Sequence, residues 1–323
     1  MERLKRTEKN TLTERVLQFG EGNFLRGFVD WMIDKLNKEN GGDYGVTIVQ
    51  PLAGGLVDKL NAQDGRYSLY LRGLLKGEKV EETRIVDCVT RGINPYTNTD
   101  EFFDCAKNPD LRFIVSNTTE AGIEYKPNQN PDDFNGLTFP GRLTLFMKKR
   151  FDEGLGGFIL LPCELIDKNG DNLKECILKY SEDWGYGGEF EKWIETENHF
   201  TNTLVDRIVT GYPRDNAKEM EQSYGYLDDM IDTAEIFHLW VIEGDKKLAE
   251  EIPFHKIGLN VLWTDDVTPY KKRKVRILNG AHTMTVLAAH LAGLETVKDA
   301  MDDELVFSFM KQGIFEEIIP TLD

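Results

Sequence analysis

An amine, an amide and an imidazole meet in one short segment of this chain, Lys274-Val-Arg-Ile-Leu-Asn279-Gly-Ala-His282. These types suit a carbonyl/alcohol site. An amine can pass a proton to or from an oxygen, an amide NH2 can hold a developing oxyanion, and an imidazole can orient a hydroxyl. Read as an α-helix at about 100° per residue, the segment holds Lys274, Asn279 and His282 within roughly 140° of one face. The same residues also read as an ordinary amphipathic helix start that follows a basic, solvated run, Lys271-Lys-Arg-Lys274. On this segment alone the two readings stand equal, and the elements that would position it must decide.

Arg15-Val-Leu-Gln-Phe19 is a short apolar strand that runs directly into Gly20-Glu-Gly22-Asn23, after which Phe24, Phe28, Trp31, Met32 and Leu36 recur at helical spacing. Strand, glycine turn and helix in that order open a nucleotide-binding α/β domain. The glycines allow a tight turn and close backbone approach, and the helix N-terminus faces the phosphates. The fingerprint is partial. Leu25 stands where a third glycine is usual, Glu21 sits between the first two, and the second strand, Gly45–Gln50, runs into Pro51 without the carboxylate that reads an NAD ribose. A plain strand-to-helix turn explains the glycines about as well, and the residues do not separate NAD from NADP.

Further strands are expected at Tyr67–Leu71, Arg84–Val89, Phe113–Ser116 and Phe158–Leu161, with helices at Asp100–Lys107 and Arg142–Phe151 and a surface loop at Lys126–Gly136. This alternation predicts an α/β fold, a Rossmann-like domain with a mostly parallel sheet and helices on both faces. From about residue 190 the pattern turns more helical, with periodic stretches at Glu219–Tyr224 and Thr296–Phe309, a last strand at Asn260–Thr264 and a turn at Asp265–Pro269. The division expected is 1–268 for the nucleotide-binding domain and 269–323 for the start of a mainly α-helical C-terminal domain. The Lys274 segment then lies near the junction, where ligand clefts form.

Composition narrows the function classes. Forty per cent apolar and 29 per cent charged residues in 323 fit a globular, water-soluble chain. A formal charge of −17 opposes nucleic-acid binding, which requires a positive field. The charged N-terminus, Met1-Glu-Arg-Leu-Lys-Arg, does not read as a signal peptide, and no apolar run approaches the ~20 residues of a membrane span. Cys88, Cys105, Cys163 and Cys176 are widely spaced and read as reduced thiols of a cytoplasmic protein. The five histidines are scattered without metal-ligand spacing, so no metal is expected.

With both segments in view, the chain resembles the mannitol dehydrogenase family of polyol-specific long-chain dehydrogenases along essentially its whole length. Phe19-Gly-Glu-Gly-Asn-Phe-Leu-Arg26 is similar to the family's GxGxFxR cofactor loop, and Gln63-Asp-Gly-Arg-Tyr67 to its QDGxY segment. Asn117-Thr-Thr-Glu-Ala-Gly122 resembles its TxTExGY strand end, with Ile123 in place of the tyrosine, and Leu204-Val-Asp-Arg-Ile208 resembles its VDRI element. The segment from Lys274 to His282 carries its Lys-x4-Asn-x2-His signature. The resemblance implies metal-independent hydride transfer with NAD, the cofactor held by Phe19, Gly20, Gly22, Asn23, Phe24, Arg26, Thr119 and Glu120, with Arg26 toward the phosphates.

It also implies roles at the reacting carbon. Lys274 would be the general acid/base, Asn279 an oxyanion donor and His282 the orienter of a substrate hydroxyl. Asn169 matches the family's Asn-Gly pair as a second donor, although Asn169-Gly170 also reads, less strongly, as a simple turn former. Asp206 and Arg207 would line the cleft or form a salt bridge between domains. Polyol-acting members carry Cys-Asp-Asn where this chain has Cys163-Glu164-Leu165, and the wording elsewhere is closest to members that act on sugar acids. The implied substrate is therefore a hexuronate/aldonate pair, D-tagaturonate and D-altronate. Fructuronate or another polyol substrate, and a non-catalytic dinucleotide binder, stand as alternatives. Family members continue well beyond Asp323, and about 55 residues past the boundary make a poor independent core. A fragment or shortened member with a partly open cleft is the expectation.

Overall fold

In the computed structural model, which describes residues 1–75 and 77–322, the first apolar run forms strand β1 (Glu14–Phe19) and passes through the glycine turn into helix α1, residues 23–40. There follow β2 (Gly45–Val49), α2 (Val57–Ala62), β3 (Tyr67–Leu75), β4 (Glu78–Val86), β5 (Val89–Ile93), α3 (Thr99–Cys105), β6 (Phe113–Ser116), α4 (Phe139–Asp152) and β7 (Ile159–Pro162). The chain continues through α5 (Asn169–Asp183), α6 (Gly188–Glu197), β8 (His199–Phe200), β9 (Asn202–Asp206), α7 (Ala217–Tyr224), β10 (Asp232–Glu235), β11 (Leu239–Glu243) and β12 (Val261–Thr264). All of these lie in one compact unit, Met1–Asp265.

Six strands make an all-parallel sheet in the order β5-β2-β1-β6-β7-β8. Its central strands are buried on both faces and mostly apolar, with Gln18 and Ser116 as buried polar exceptions. Alternation along each strand sends Val16, Val115 and Leu161 to one face, against Phe28, Met32 and Leu36 of α1. Leu17, Ile114 and Leu160 go to the other, against Leu143 and Phe146 of α4 and Ile177 of α5. Each such side chain, fully buried, contributes about 1.5–3 kcal/mol. The chain leaves β1 to β2 on one side and returns to β6 on the other. A crevice opens at the carboxyl ends of these strands, where open α/β sheets bind ligands.

The Rossmann-like parallel sheet expected from the sequence is present, but not every strand joins it. Tyr67–Leu71 and Arg84–Val89 were expected as members of that sheet. Instead β3 and β4 pair antiparallel from Tyr67/Val86 outward and, with β10, form a separate three-stranded sheet. A connection as short as theirs permits only an antiparallel pair, since a parallel return needs a crossover of a dozen or more residues. The region beyond residue 190 is also less helical than its pattern suggested. Strands β9, β11 and β12 form a third sheet there. Of these, β12 is the last strand expected at Asn260–Thr264; β9 and β11, five residues each, are too short for periodicity to declare them, and β10 begins with Asp and Thr.

The second unit, Asp266–Asp323, is helical: α8 (residues 268–291), α9 (Val297–Asp302) and α10 (residues 304–318). The periodic stretch 296–309 is two helices rather than one. Thr296 and Asp299 form a capping box at α9, and the Asp303 carboxylate accepts from the amides of Leu305 and Val306 to start α10. Among the described residues no helix is long and apolar enough to cross a membrane.

Beneath the glycine turn lies a buried polar cluster. Asp30 and Asp232 are fully buried, with Arg26 as the cation they share; Arg26 Nη1 stands 3.9 Å from Asp232 Oδ2. Tyr67 Oη donates to Asp30 Oδ2 at 3.1 Å. Burial pushes the Asp30 carboxyl up to about 7 and that of Asp232 up to about 6, against an ordinary 3.8. Folded-state values raised in this way mean the native protein binds protons more tightly than the unfolded chain. The associated stability is complete below about pH 4 and is lost as pH rises toward 7. Urea unfolding at pH 5 and pH 7.5 should show wild type losing about 1–3 kcal/mol from this pair, and Asp30→Asn losing distinctly less. Equal losses in the two proteins would refute the assignment.

Candidate active site

The crevice over β1 and β6 is built from the glycine turn upward. Gly20 has φ of +129°, and a Cβ there would stand 3.2 Å from Leu25 Cδ1 and 3.3 Å from the Asn117 carbonyl oxygen. Only glycine fits, because the turn must pass tightly between α1 and the end of β6. Gly22 differs: a Cβ on it would meet nothing within 4 Å, so the backbone at the head of α1 faces open space. An 18-residue helix begins there, with its first amides directed at the opening. A cradle of this kind fits the pyrophosphate of a dinucleotide.

Helix α1 does not start as a regular α-helix. Asn23–Leu25 is one α turn, Arg26–Asp30 is a π-turn, and Trp31–Asn40 resumes the α-helix. Changing from i→i+4 to i→i+5 pairing shifts the carbonyl partners, and side chains from elsewhere meet them. The Arg26 carbonyl accepts from Tyr67 Oη at 2.9 Å, the Gly27 carbonyl from Arg207 Nη1 at 2.8 Å and the Asp30 carbonyl from Cys88 Sγ at 3.2 Å. The QDGxY-like and VDRI-like segments thus hold the cofactor-loop helix. Gln63 secures the first of them, its Nε2 donating to Asp228 Oδ1 at 2.8 Å and its Oε1 accepting from the Asp229 amide at 2.7 Å.

These contacts correct two expectations. Arg26 does not face the crevice. It is 1% exposed, and its guanidinium donates to the carbonyls of Glu21 and Met230 and to Asn23 Oδ1, over the Tyr67 ring. Arg207 is likewise inside the first unit, donating to the Glu235 and Gly27 carbonyls with its guanidinium 4.1 Å from the centre of the Trp31 ring. Burial lowers its pKa to about 10. Neither arginine has its charge turned toward a ligand, because the π-turn, Met230 and the end of β10 present carbonyls that need donors. Asp206, next to Arg207, is half-buried at the end of β9.

The remaining crevice residues lie at strand ends. Phe19 is buried at the end of β1 against Phe102 and Phe139, whereas Asn23 is exposed and Phe24 is half-buried, stacked on Phe28 at 5.0 Å. Beyond β6, Thr119 takes φ of +76° and is exposed, as is Glu120. Glu164, noted in the sequence only as a departure from Cys-Asp-Asn, proves central. Its buried carboxylate accepts from Ser116 Oγ at 3.0 Å and from the Thr118 amide and hydroxyl at 2.9 and 3.0 Å. It ties the ends of β6 and β7 together, and burial raises its pKa. The readable signal was an acidic residue placed directly after an apolar strand, at the edge where ligands bind.

Asn169 was expected to donate to substrate oxygen. Its Nδ2 is committed to the carbonyls of Pro162, Glu164 and Thr203 at 3.0–3.2 Å, and its Oδ1 accepts from the Thr203 amide at 2.8 Å. It is 1% exposed. Nor is Asn169-Gly170 a simple turn, since the pair opens α5. Asn169 therefore positions the strand ends in this conformation and has no amide hydrogen left for an oxyanion.

In the helical unit the signature segment also contains a π-turn, Lys274–Asn279, between Thr268–Arg273 and Gly280–Leu291. This alters the geometry expected from an ideal α-helix. Five residues advance an α-helix by about 140° beyond a full turn, but one i→i+5 turn returns nearly to the same face. Lys274 and Asn279 thus start closer to one face than an ideal α-helix would place them, and His282 follows Asn279 by three residues, on the neighbouring row. Lys274 is half-buried, and Asn279 and His282 are exposed. His282 Nδ1 lies 2.8 Å from the Leu278 carbonyl oxygen. A carbonyl can only accept, so Nδ1 carries the hydrogen and, in the neutral ring, Nε2 presents its lone pair.

Sheet order, glycine turn and helical unit define a Rossmann-type α/β protein with an α-helical C-terminal part. The Mannitol dehydrogenase Rossmann domain model matches residues 14–256 and the Mannitol dehydrogenase C-terminal domain model residues 266–323, so the chain belongs to the mannitol dehydrogenase family. It is 49% identical over 315 residues to proteins named altronate oxidoreductase from Cronobacter sakazakii and Shigella flexneri, covering 96% of this chain and 65% of each relative. The chain thus spans just under two thirds of their length. Among solved structures, substrate-free D-sorbitol dehydrogenase superposes with a TM-score of 0.82 at 25% identity, over 97% of this chain and 66% of that one. Pseudomonas fluorescens mannitol 2-dehydrogenase, in ternary complex with NAD and D-mannitol, gives 0.78 at 22% identity, over 97% and 65%, and shares the fold.

Removing the Tyr67 hydroxyl tests the clamp on α1. Tyr67→Phe leaves the Arg26 carbonyl and Asp30 short of a donor in a buried site, and should lower unfolding free energy by about 1–3 kcal/mol. Denaturant titration measures this, and a change below about 0.5 kcal/mol would show that the hydroxyl is not holding the turn.

Proposed function

We propose that this chain carries the NAD-dependent oxidoreductase activity of an altronate oxidoreductase (tagaturonate reductase), interconverting D-tagaturonate and D-altronate. The observation that carries this reading is the 49% identity to altronate oxidoreductases over 96% of the chain, with the Lys274, Asn279 and His282 constellation intact. The crevice of the first unit, with Gly20, Gly22 and the amides at the head of α1, would hold the dinucleotide, and Asn23, Phe24, Thr119 and Glu120 would border it. Bound there, NADH supplies the hydride for the carbonyl carbon.

The chain's own groups handle the proton and the oxygen. In the reducing direction Lys274 gives a proton from its ammonium to the carbonyl oxygen as that oxygen becomes an alkoxide, and in the oxidising direction its neutral amine takes the hydroxyl proton back. Asn279, at the other end of the π-turn from Lys274, donates its NH2 to the same oxygen while charge develops. His282 Nε2 accepts from a neighbouring substrate hydroxyl and fixes the sugar's orientation, its tautomer set by the Leu278 carbonyl. Glu164 and Asn169 position the strand ends around the crevice. The reading assigns the reaction to the cytoplasm, in keeping with four free, buried cysteines.

Absorbance of NADH followed with D-tagaturonate, D-fructuronate and D-fructose separates the possibilities. The expected outcome is turnover on tagaturonate that exceeds the other two. Lys274→Ala should lower kcat by about 10²–10⁴-fold and leave the Kd for NADH within a factor of two or so. Preference for fructuronate or fructose would reassign the substrate, and full activity in Lys274→Ala would sink the lysine mechanism. NADH binding without turnover on all three would leave a dinucleotide-binding protein.

A further inference from the structure

The cofactor crevice contains one carboxylate in a place where dinucleotide-binding folds do not ordinarily carry it. In such folds an acidic residue at the end of the second strand accepts from the ribose hydroxyls of NAD, and its charge turns away the 2′-phosphate of NADP. Here β2 is followed by Gln50-Pro51-Leu52-Ala53, and the Gln50 amide is spent on its own loop, donating to the carbonyls of Leu52 at 2.7 Å and Ala53 at 3.1 Å. Glu21, between the two glycines, reaches across to that loop. Its Oε1 accepts from the Leu56 amide at 3.3 Å, and the residue is 8% exposed. A Cβ on Gly55 would stand 2.2 Å from Glu21 Oε1 and 2.5 Å from Gln50 Oε1, so the loop after β2 closes directly onto both side chains.

We propose that Glu21 is the ribose reader of this protein, supplying from the glycine turn the carboxylate that the end of β2 lacks and thereby selecting NAD(H) over NADP(H). The proposal rests on the dinucleotide reading of the crevice given above. A carboxylate offers about four lone-pair sites; the Leu56 amide takes one with a long bond and Glu21's own amide another, so capacity for a ribose diol remains. The loop residues fix the group in position: Gln50 Oε1 accepts from the Val57 amide at 3.4 Å, and Gly55 leaves room for the carboxylate where any larger residue would displace it. Arg26, whose charge acts on Glu21, is turned to the Glu21 carbonyl and the interior and does not offer its guanidinium to a phosphate. An uncharged isostere at position 21 keeps the bond to Leu56 and removes only the charge.

The test is direct binding of NADH and of NADPH, each alone, by calorimetry or nicotinamide fluorescence, to wild type, Glu21→Gln and Glu21→Asp. Wild type should prefer NADH. Glu21→Gln should shift the ratio of the two dissociation constants toward NADPH by about tenfold or more, and Glu21→Asp, which keeps the charge, should retain the preference for NADH. Wild type preferring NADH with the ratio unchanged in Glu21→Gln would overturn the proposal alone, leaving Glu21 a brace for the loop. Wild type binding neither dinucleotide would overturn the cofactor reading and the proposal together.

Discussion

Everything at the cofactor end depends on keeping a π-turn in the first helix after β1. Such a turn widens the helix and shifts its carbonyl partners, so it persists only where other groups over-determine it. This chain provides those groups from four distant segments: Tyr67 from β3, Cys88 before β5, Arg207 after β9, and the Met230 carbonyl that receives Arg26. The glycine turn can then present open backbone at Gly22 while Gly20 threads between α1 and the Asn117 carbonyl. Buried carboxylates accompany the arrangement because Arg26 and Arg207 bring two positive charges inside, and Asp30 and Asp232 balance them. Raised carboxyl pKa values are the cost of that neutralisation in a place water does not reach.

This network changes the meaning of the sequence motifs. Residues that recur at family spacing are easily assumed to touch ligand, yet Gln63, Tyr67, Arg26 and Arg207 all point into the protein. Their spacing is demanding because each must reach a particular carbonyl, and a hydrogen bond is as intolerant of displacement inside a fold as at a substrate. Glu164 and Asn169 belong with them. They knot β6, β7 and β9 at the sheet's carboxyl edge and so fix the walls of the crevice without facing it.

What was legible in the sequence was whatever a periodic or local signal could carry. Val16 to Phe19, Phe113 to Ser116 and Ile159 to Leu161 are buried throughout and mostly apolar, Gln18 and Ser116 excepted, because both faces of their sheet are covered, and they declared the parallel core. The start of α4 was legible only approximately: Thr138 caps it by accepting from the Gly141 amide, three residues before the periodic pattern begins to read. Strands β9 to β11 were not legible, being short and partly polar, with partners distant in the chain, whereas β12 was read at Asn260–Thr264. The inward turn of Arg26 was hidden for a related reason. Its main acceptor is a carbonyl 204 positions away, and no local pattern encodes that.

The second unit repeats the same device for a different end. A π-turn over Lys274–Asn279 brings these two positions closer to one face, where an ideal α-helix would separate them by about 140°. The spacing of four residues between Lys274 and Asn279 is thus fitted to an i→i+5 turn, and the spacing of two between Asn279 and His282 to the regular α-helix that resumes at Gly280. One helix with a constant pitch could not put all three on a single stripe with these intervals. The Lys-x4-Asn-x2-His pattern therefore spans the place where the helix pitch changes, and a substitution that returned this segment to regular α-helix would rotate Lys274 away from Asn279 while leaving every chemical group in the sequence.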